Sequence, residues 1–123
     1  MKVLIVEDEM LIAIVTKMQL QDHGFEVVGI ASNEETFWPL MKNGDPTIIL
    51  MDVKLKKNES GIDLAKQIKE QDPELPIIFT TGNSRKFIEQ EIEGISNTRI
   101  LIKPLYYPDL FDAIKSLLNV ELR

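Results

Sequence analysis

The sequence predicts an α/β fold in which helices cover a parallel sheet of five strands. Short aliphatic runs alternate along the chain with segments whose apolar residues recur every three or four positions, which are the patterns of strands and helices. Some aliphatic runs are unbroken, as in Val3 to Val6 and Ile48 to Met51. An unbroken run is typical of a strand buried on both faces, and such strands occur mainly in parallel sheets covered by helices.

Five aliphatic runs are predicted to be strands: Val3 to Val6, Glu26 to Ile30, Thr47 to Met51, Pro76 to Thr80 and Arg99 to Ile102. The first helix lies between the first two runs. Its apolar residues stand three, four and seven positions apart, at Leu11, Ile14, Val15 and Met18. We expect this stripe to pack on the sheet, and Gly24 to end the helix in the left-handed conformation.

The second and third helices have recognisable ends. The spacing Ser32-x-x-Glu35 is that of a capping box and predicts where the second helix begins, while Pro39 should bend it. The third helix is predicted from the spacing of Gly61, Leu64, Ala65 and Ile68. It should end before Pro73, because the residue that precedes a proline avoids the helical region.

The last two helices differ in how firmly they should be held. The fourth, from Ser84 to Glu93, is rich in charge and has few residues to bury, namely Phe87, Ile88 and Ile92. It should therefore be the most mobile helix. The fifth is predicted to start at Pro108, which suits a first helical turn, and to bury Leu110, Ala113, Ile114 and Leu117.

Composition narrows the class of protein. A chain of 123 residues that is 44% hydrophobic fits one domain over residues 1–123. A net charge of -6 argues against nucleic-acid binding by this domain, and zero cysteines exclude thiolate chemistry. No apolar signal region precedes the first strand and no run is long enough to span a membrane, so we expect a cytoplasmic protein.

Polar residues follow four of the predicted strands. Glu7 and Asp8 come after the first strand and Asp52 after the third. Thr81-Gly82 and Lys103-Pro104 follow the fourth and fifth. Ligands of an open parallel sheet bind beyond the carboxyl ends of its strands, so these groups should converge. Clustered carboxylates favour a hard cation such as Mg²⁺, and the whole set suits phosphoryl transfer to a carboxylate.

Four short stretches, in this order and spacing, resemble the motifs of response regulator receiver domains: Val6-Glu7-Asp8-Glu9, Leu50-Met51-Asp52-Val53, Phe79-Thr80-Thr81-Gly82 and Ile102-Lys103-Pro104. The resemblance covers essentially the whole chain. It implies a three-layer, flavodoxin-like, doubly wound fold with strand order 2-1-3-4-5. It also implies a domain of two-component signalling that is phosphorylated on an aspartate.

The resemblance assigns a role to each matching residue. Asp52 would be the phosphoacceptor, Asp8 a direct Mg²⁺ ligand, and Glu7 an acid that acts mainly through metal-bound water. Lys103 would pair with the phosphoryl group, and Thr81 would supply the hydroxyl that moves toward it.

Three further features are implied in the same way. The backbone carbonyl of Lys54 would complete the Mg²⁺ ligands, and Gly82 would keep the phosphoryl group accessible. The Lys103-Pro104 peptide bond should be cis.

The resemblance also implies partners. A histidine kinase or histidine phosphotransfer protein would donate the phosphoryl group. The surface of the fourth helix, fifth strand and fifth helix would then change and signal to an output domain or target protein. Whether the fourth and fifth helices also form a homodimer is not determined by the sequence.

Three departures from the family pattern bear on signalling. Ile100 stands where many members carry an aromatic residue that turns inward with the threonine. The loop from Lys54 to Gly61 lacks a common proline and is one residue longer. Lys54 itself should reach the mouth of the pocket, where its side chain would affect the lifetime of the acyl phosphate.

Two alternatives use similar residues. A phosphatase of the haloacid dehalogenase type also places an aspartate nucleophile at a strand end and uses Mg²⁺, but its second acid two residues later is here Lys54. A flavodoxin-like binding module is the other, although the chain has neither a phosphate-cradling glycine loop nor a flavin-stacking signature.

Overall fold

The computed structural model describes residues 1–119, in which strands and helices alternate. The strands are β1 (Lys2–Val6), β2 (Glu26–Ala31), β3 (Ile48–Asp52), β4 (Ile77–Thr81) and β5 (Thr98–Ile102). The helices are α1 (Met10–Asp22), α2 (Glu34–Gly44), α3 (Gly61–Gln71), α4 (Arg85–Glu91) and α5 (Tyr107–Leu117). Each predicted strand is confirmed to within one residue at either end.

The strands form one parallel sheet in the order β2-β1-β3-β4-β5, which confirms the predicted topology. The direction of winding changes between β1 and β3, because β2 lies on one side of β1 and all later strands lie on the other. Val6 pairs with Met51, and Asp52 pairs with Thr80. The carboxyl ends of β1, β3 and β4 therefore lie side by side.

Two apolar clusters, one on each face, hold the sheet between its helices. One combines sheet residues such as Leu4, Ile49 and Phe79 with residues of α2, α3 and α4. The other combines Ile5 and Ile48 with residues of α1 and α5. Every residue of β3 and β4 is buried, which explains why their sequences are unbroken apolar runs rather than alternating ones. Among residues 1–119, no helix is both long and apolar enough to cross a membrane.

The predicted inner face of α1 is wrong. Leu11 is 81% exposed, and Ile14, Val15 and Met18 are exposed as well. The buried residues of this helix are Ala13, Thr16 and Leu20. Every residue from Met10 to Val15 is apolar, so periodicity alone could not choose between faces.

Tertiary contacts determine which face of α1 is buried. Small Ala13 allows the helix to lie close to the sheet, and the hydroxyls of Thr16 and Tyr107 are 3.1 Å apart, within hydrogen-bonding distance. Leu20 then extends into the cluster shared with α5.

Two smaller predictions also need correction. The capping box of α2 is formed by Asn33 and Thr36 rather than by Ser32 and Glu35. Asn33 Oδ1 accepts the N–H of Thr36 at 2.8 Å, because β2 continues to Ala31 and the helix begins one residue later than predicted. Pro39 lies inside α2, as expected.

The fourth helix buries less than the sequence predicted. It spans Arg85–Glu91, and Phe87 is 53% exposed. Ile88 and Ile92 are buried, because they lie on the side that meets the core cluster, whereas Phe87 does not. Two isoleucines thus anchor this segment. The third helix ends before Asp72-Pro73 as predicted. The fifth begins at Tyr107, one residue before the predicted start, and buries Leu110 and Ile114, whereas Ala113 and Leu117 are only half-buried.

The two faces of α1 should respond very differently to truncation. We expect Leu20→Ala to lower the free energy of unfolding by about 2–5 kcal/mol, because it leaves a cavity beneath α1. The matched change Leu11→Ala should alter it by no more than about 0.5 kcal/mol. Urea unfolding followed by circular dichroism measures both, and similar losses for the two variants would contradict this orientation of α1.

Candidate functional site

Three carboxylates meet at the carboxyl ends of β1 and β3. Glu7 and Asp8 directly follow β1, and Asp52 is the last residue of β3. Each offers an oxygen that lies within 4.8 Å of those of the other two. Glu7 and Asp52 are each only 5% exposed, so little water screens their charges. The pairing of β1 with β3 brings together acids that are 44 or more residues apart in sequence.

Lys103 places an ammonium group between two of these acids. Its Nζ lies 3.0 Å from Glu7 Oε1 and 3.1 Å from Asp52 Oδ2. The backbone holds the residue there, because the Lys103 N–H donates to the carbonyl of Thr81 at 2.8 Å and so extends the pairing of β5 with β4. The Lys103–Pro104 peptide bond is cis, as the resemblance implied.

The close approach of these charges alters their protonation. Burial, together with the hydrogen bond and negative charge of Asp52, raises the pKa of Glu7 to about 7, although Lys103 opposes this shift. Burial alone would lower the pKa of Lys103, but the nearby carboxylates of Glu7 and Asp52 raise it overall. Without a divalent cation, burial and Asp52 therefore favour the protonated form of Glu7.

The acidic cluster can hold a metal ion. Three carboxylates with oxygens this close are the donor set that a hard divalent cation prefers, and its charge would oppose the burial and the Asp52 charge that raise the pKa of Glu7. Other polar groups already orient two of the carboxylates. The Lys54 N–H donates to Asp52 Oδ1 at 3.3 Å, and the Glu9 N–H donates to Glu7 Oε2 at 3.3 Å. The role of the Lys54 carbonyl stays a prediction.

The predicted hydroxyl and glycine lie on the next strand and its loop. Thr81 is the last residue of β4 and is buried, and its Oγ1 accepts the N–H of Asn83 at 3.0 Å. The hydroxyl is thus bonded to the β4–α4 loop in this structure. A Cβ atom added at Gly82 would meet nothing within 4 Å, so the space beside this residue is open. Thr80 is buried too and pairs with Asp52 in the sheet.

Ile100 points into the core rather than toward solvent. It is 5% exposed and belongs to the same apolar cluster as Ile88 and Ile92 of the α4 segment. It pairs with Phe79 in the sheet, two residues before Thr81. Ile100 therefore lies in the layer of side chains that connects the end of β4 with α4.

The loop after Asp52 contains two features that sequence reasoning missed. A Cβ at Gly61 would collide with the backbone carbonyl of Asp52, so α3 can start this close to the site only with glycine. The side chain of Glu59 accepts the N–H of Glu34, the first residue of α2, at 2.9 Å. No local sequence signal could have revealed this contact, because 25 residues separate its partners.

Comparisons with known proteins agree with this geometry. A model of the response regulator receiver domain matches residues 3–115. The transcriptional regulatory protein PdtaR of Mycobacterium tuberculosis is 32% identical over 114 residues, which cover 93% of this chain and 55% of PdtaR. The polar-differentiation response regulator DivK of Brucella ovis is 29% identical over 119 residues, which cover 95% of this chain and 95% of DivK.

A solved structure shows the same architecture. The signal receiver domain of a modulated diguanylate cyclase from Desulfovibrio desulfuricans superposes with a TM-score of 0.83 at 29% identity, over 96% of this chain and 93% of that one. This chain spans about half the length of the first curated relatives that it matches. The matches confirm the family resemblance and favour it over the haloacid dehalogenase and flavodoxin-like alternatives.

The raised pKa of Glu7 predicts how stability depends on pH without a divalent cation. In the folded protein the pKa of Glu7 is raised to about 7, whereas in the unfolded chain it returns to the ordinary glutamate pKa of 4.5. The contribution of Glu7 is therefore fully present below pH 4.5 and is lost as pH rises toward 7. Urea midpoints in EDTA should fall more between pH 5 and about pH 7.5 for the wild type than for Glu7→Gln, which cannot ionise. An equal fall in both proteins would contradict the shift.

Proposed function

Because the chain belongs to the response regulator receiver domain family, we propose that Asp52 is the phosphoacceptor of this two-component receiver domain. The observation that carries the proposal is the ammonium group of Lys103, which lies within 3.1 Å of both the Glu7 and Asp52 carboxylates. It stands where the oxygens of a phosphoryl group on Asp52 would need positive charge. An ionised aspartate needs no general base, so the cluster is equipped for transfer to a carboxylate.

The reaction would be a direct displacement. An oxygen of Asp52 forms a bond to phosphorus while the bond from phosphorus to a histidine nitrogen of the donor breaks, and the donor imidazole keeps the electron pair. Lys103 then exchanges carboxylate contacts for contacts with phosphoryl oxygens. Glu7, Asp8, Asp52 and the Lys54 carbonyl would hold Mg²⁺, which supplies additional positive charge when bound.

Signalling would follow from the new negative charge. We infer that the Thr81 hydroxyl leaves Asn83 and donates to the phosphoryl group, and that open space beside Gly82 admits that group. Movement at the end of β4 would reach α4 through the apolar side chains around Ile100. Within residues 85–92, Ile88 of α4 and the Ile92 that follows it are the buried residues that attach the helix to the core, so a modest change can shift its population between two arrangements.

The partners of this chain belong to the same proposal. Receiver domains of this family interact with histidine kinases or phosphotransfer proteins and with output domains. For this chain we propose one such donor and an output domain or target protein that contacts α4, β5 and α5, a surface also suited to a homodimer. We propose a single cytoplasmic domain over residues 1–123 without direct nucleic-acid contact; its boundary at Arg123 lies outside the described residues.

Phosphorylation of Asp52 can be measured directly. Incubation with acetyl phosphate and Mg²⁺ should give one phosphoryl adduct by intact mass, and Asp52→Ala should abolish it. Asp63→Asn, which changes an exposed acid in the first turn of α3, should leave the adduct intact. An unchanged adduct in Asp52→Ala would overturn the assignment, and turnover of a generic phosphatase substrate without an adduct would support the phosphatase alternative.

The coupling through Ile100 predicts a pattern of chemical shifts. Beryllofluoride, a phosphoryl mimic, should shift pocket resonances and also those of residues 84–102 in the wild type. Ile100→Ala should retain the pocket shifts and lose most of those in α4, because a cavity decouples the two. Ile100→Val, which removes one methylene group, is the matched control and should resemble the wild type. Shifts confined to the pocket in the wild type would disprove this route.

A further inference from the structure

The loop between β3 and α3 is a small hairpin. Lys54 and Ser60 form an isolated antiparallel bridge, and the Leu55 N–H donates to the Glu59 carbonyl at 3.1 Å. Lys57 and Asn58 at the tip both adopt left-handed backbone conformations, with φ of 60° and 59°. Two consecutive left-handed residues are typical of the tightest hairpin turns. The tip of this loop is therefore a defined turn.

Two side chains attach this hairpin to the rest of the molecule. Leu55 is 4% exposed and belongs to the core cluster beneath α2 and α3. Glu59 accepts the Glu34 N–H at 2.9 Å in a partly buried hydrogen bond. This N–H is one of the first-turn donors of α2 that have no partner within the helix. A carboxylate at a helix N-terminus also interacts favourably with the helix dipole.

The Glu59–Glu34 contact connects the β3–α3 hairpin to the start of α2. In the sheet β1 lies between β2 and β3, and the contact joins the segments that follow those two flanking strands. The end of β1 carries Glu7, whose N–H donates to the Ala31 carbonyl at the end of β2 at 2.9 Å. Glu59 thus attaches the loop that contains Lys54 to the same edge of the sheet that holds Glu7.

We propose that Glu59 is a positioning residue for the divalent cation: by capping α2 it holds the β3–α3 hairpin, and with it the Lys54 backbone, against the carboxylate cluster. The inference depends on the proposed function, because the cation site and the Lys54 carbonyl ligand are part of that function. Lys54 already orients Asp52 through its N–H, at 3.3 Å from Oδ1. A loop released from α2 would leave both Lys54 groups less well placed.

A second cap on the same helix provides a discriminating control. The Asn33 side chain accepts the Thr36 N–H at 2.8 Å, and within residues 1–119 its side-chain hydrogen bonds are all with Thr36. Removing it weakens α2 without detaching the loop. If Glu59 acted only by stabilising α2, Asn33→Ala and Glu59→Ala would have the same effect on the cation.

The experiment compares wild type, Glu59→Ala, Glu59→Gln and Asn33→Ala. Mg²⁺ is titrated into each protein and followed by amide chemical shifts, and amide hydrogen exchange is measured without Mg²⁺. Glu59→Ala should bind Mg²⁺ about tenfold more weakly, because the Lys54 backbone would be held less firmly beside Asp52, and the Glu34 and Leu55 amides should exchange faster. Glu59→Gln keeps an oxygen acceptor and should recover most of the affinity. Asn33→Ala should speed exchange in the first turn of α2 and bind Mg²⁺ like the wild type.

Wild-type affinity in Glu59→Ala would overturn the positioning role, as would equal weakening in Asn33→Ala or failure of Glu59→Gln to recover binding. A wild-type protein without measurable Mg²⁺ affinity would overturn it together with the cation site. Failure of the proposed function is seen separately, as the absence of a phosphoryl adduct on Asp52 in a wild-type protein that binds Mg²⁺ normally.

Discussion

The contacts of the Lys103 ammonium group with Glu7 and Asp52 are the interaction on which the site depends. Burial and the neighbouring carboxylate of Asp52 both raise the pKa of Glu7, so the single positive charge of Lys103 compensates the two buried acids only in part. Additional positive charge would therefore stabilise the site. A divalent cation among the three acids would complete the neutralisation, and a phosphoryl group would give Lys103 a new partner.

The architecture provides this arrangement through its parallel strands. Every residue of β3 and β4 is buried, so these strands cannot change register without exposing apolar side chains. Their ends therefore present Asp52 and Thr81 reproducibly. Around this rigid centre the attachments differ in strength: Glu59 ties one loop to α2, while two isoleucines anchor the α4 segment. A site held firmly by the sheet, next to the less firmly packed helix α4, fits the proposed change at the α4 surface.

Sequence patterns predicted the strands and the polar residues at the strand ends well. They predicted less well which face of a helix is buried. A strand end followed by a polar residue is a local signal, and in a parallel sheet all such ends lie on one edge; Glu7, Asp8, Asp52 and Lys103 were therefore found together. The prediction of which face of α1 is buried was wrong, because the six consecutive apolar residues from Met10 to Val15 place apolar side chains on every side of the helix. Phe87 was wrongly assigned to the core because hydrophobicity does not reveal whether a short helix turns a given residue inward.

The sequence by itself determined the fold class, the order of elements and the set of residues at the strand ends, because each depends on hydrophobic runs and motifs that are local in the chain. Only the tertiary structure decided which side of α1 is buried, how Lys103 bridges Glu7 and Asp52, and that Glu59 caps α2. These outcomes depend on side chains that are distant in sequence and compete for the same space and the same hydrogen-bond partners. That competition is resolved when the sheet and its helices pack together.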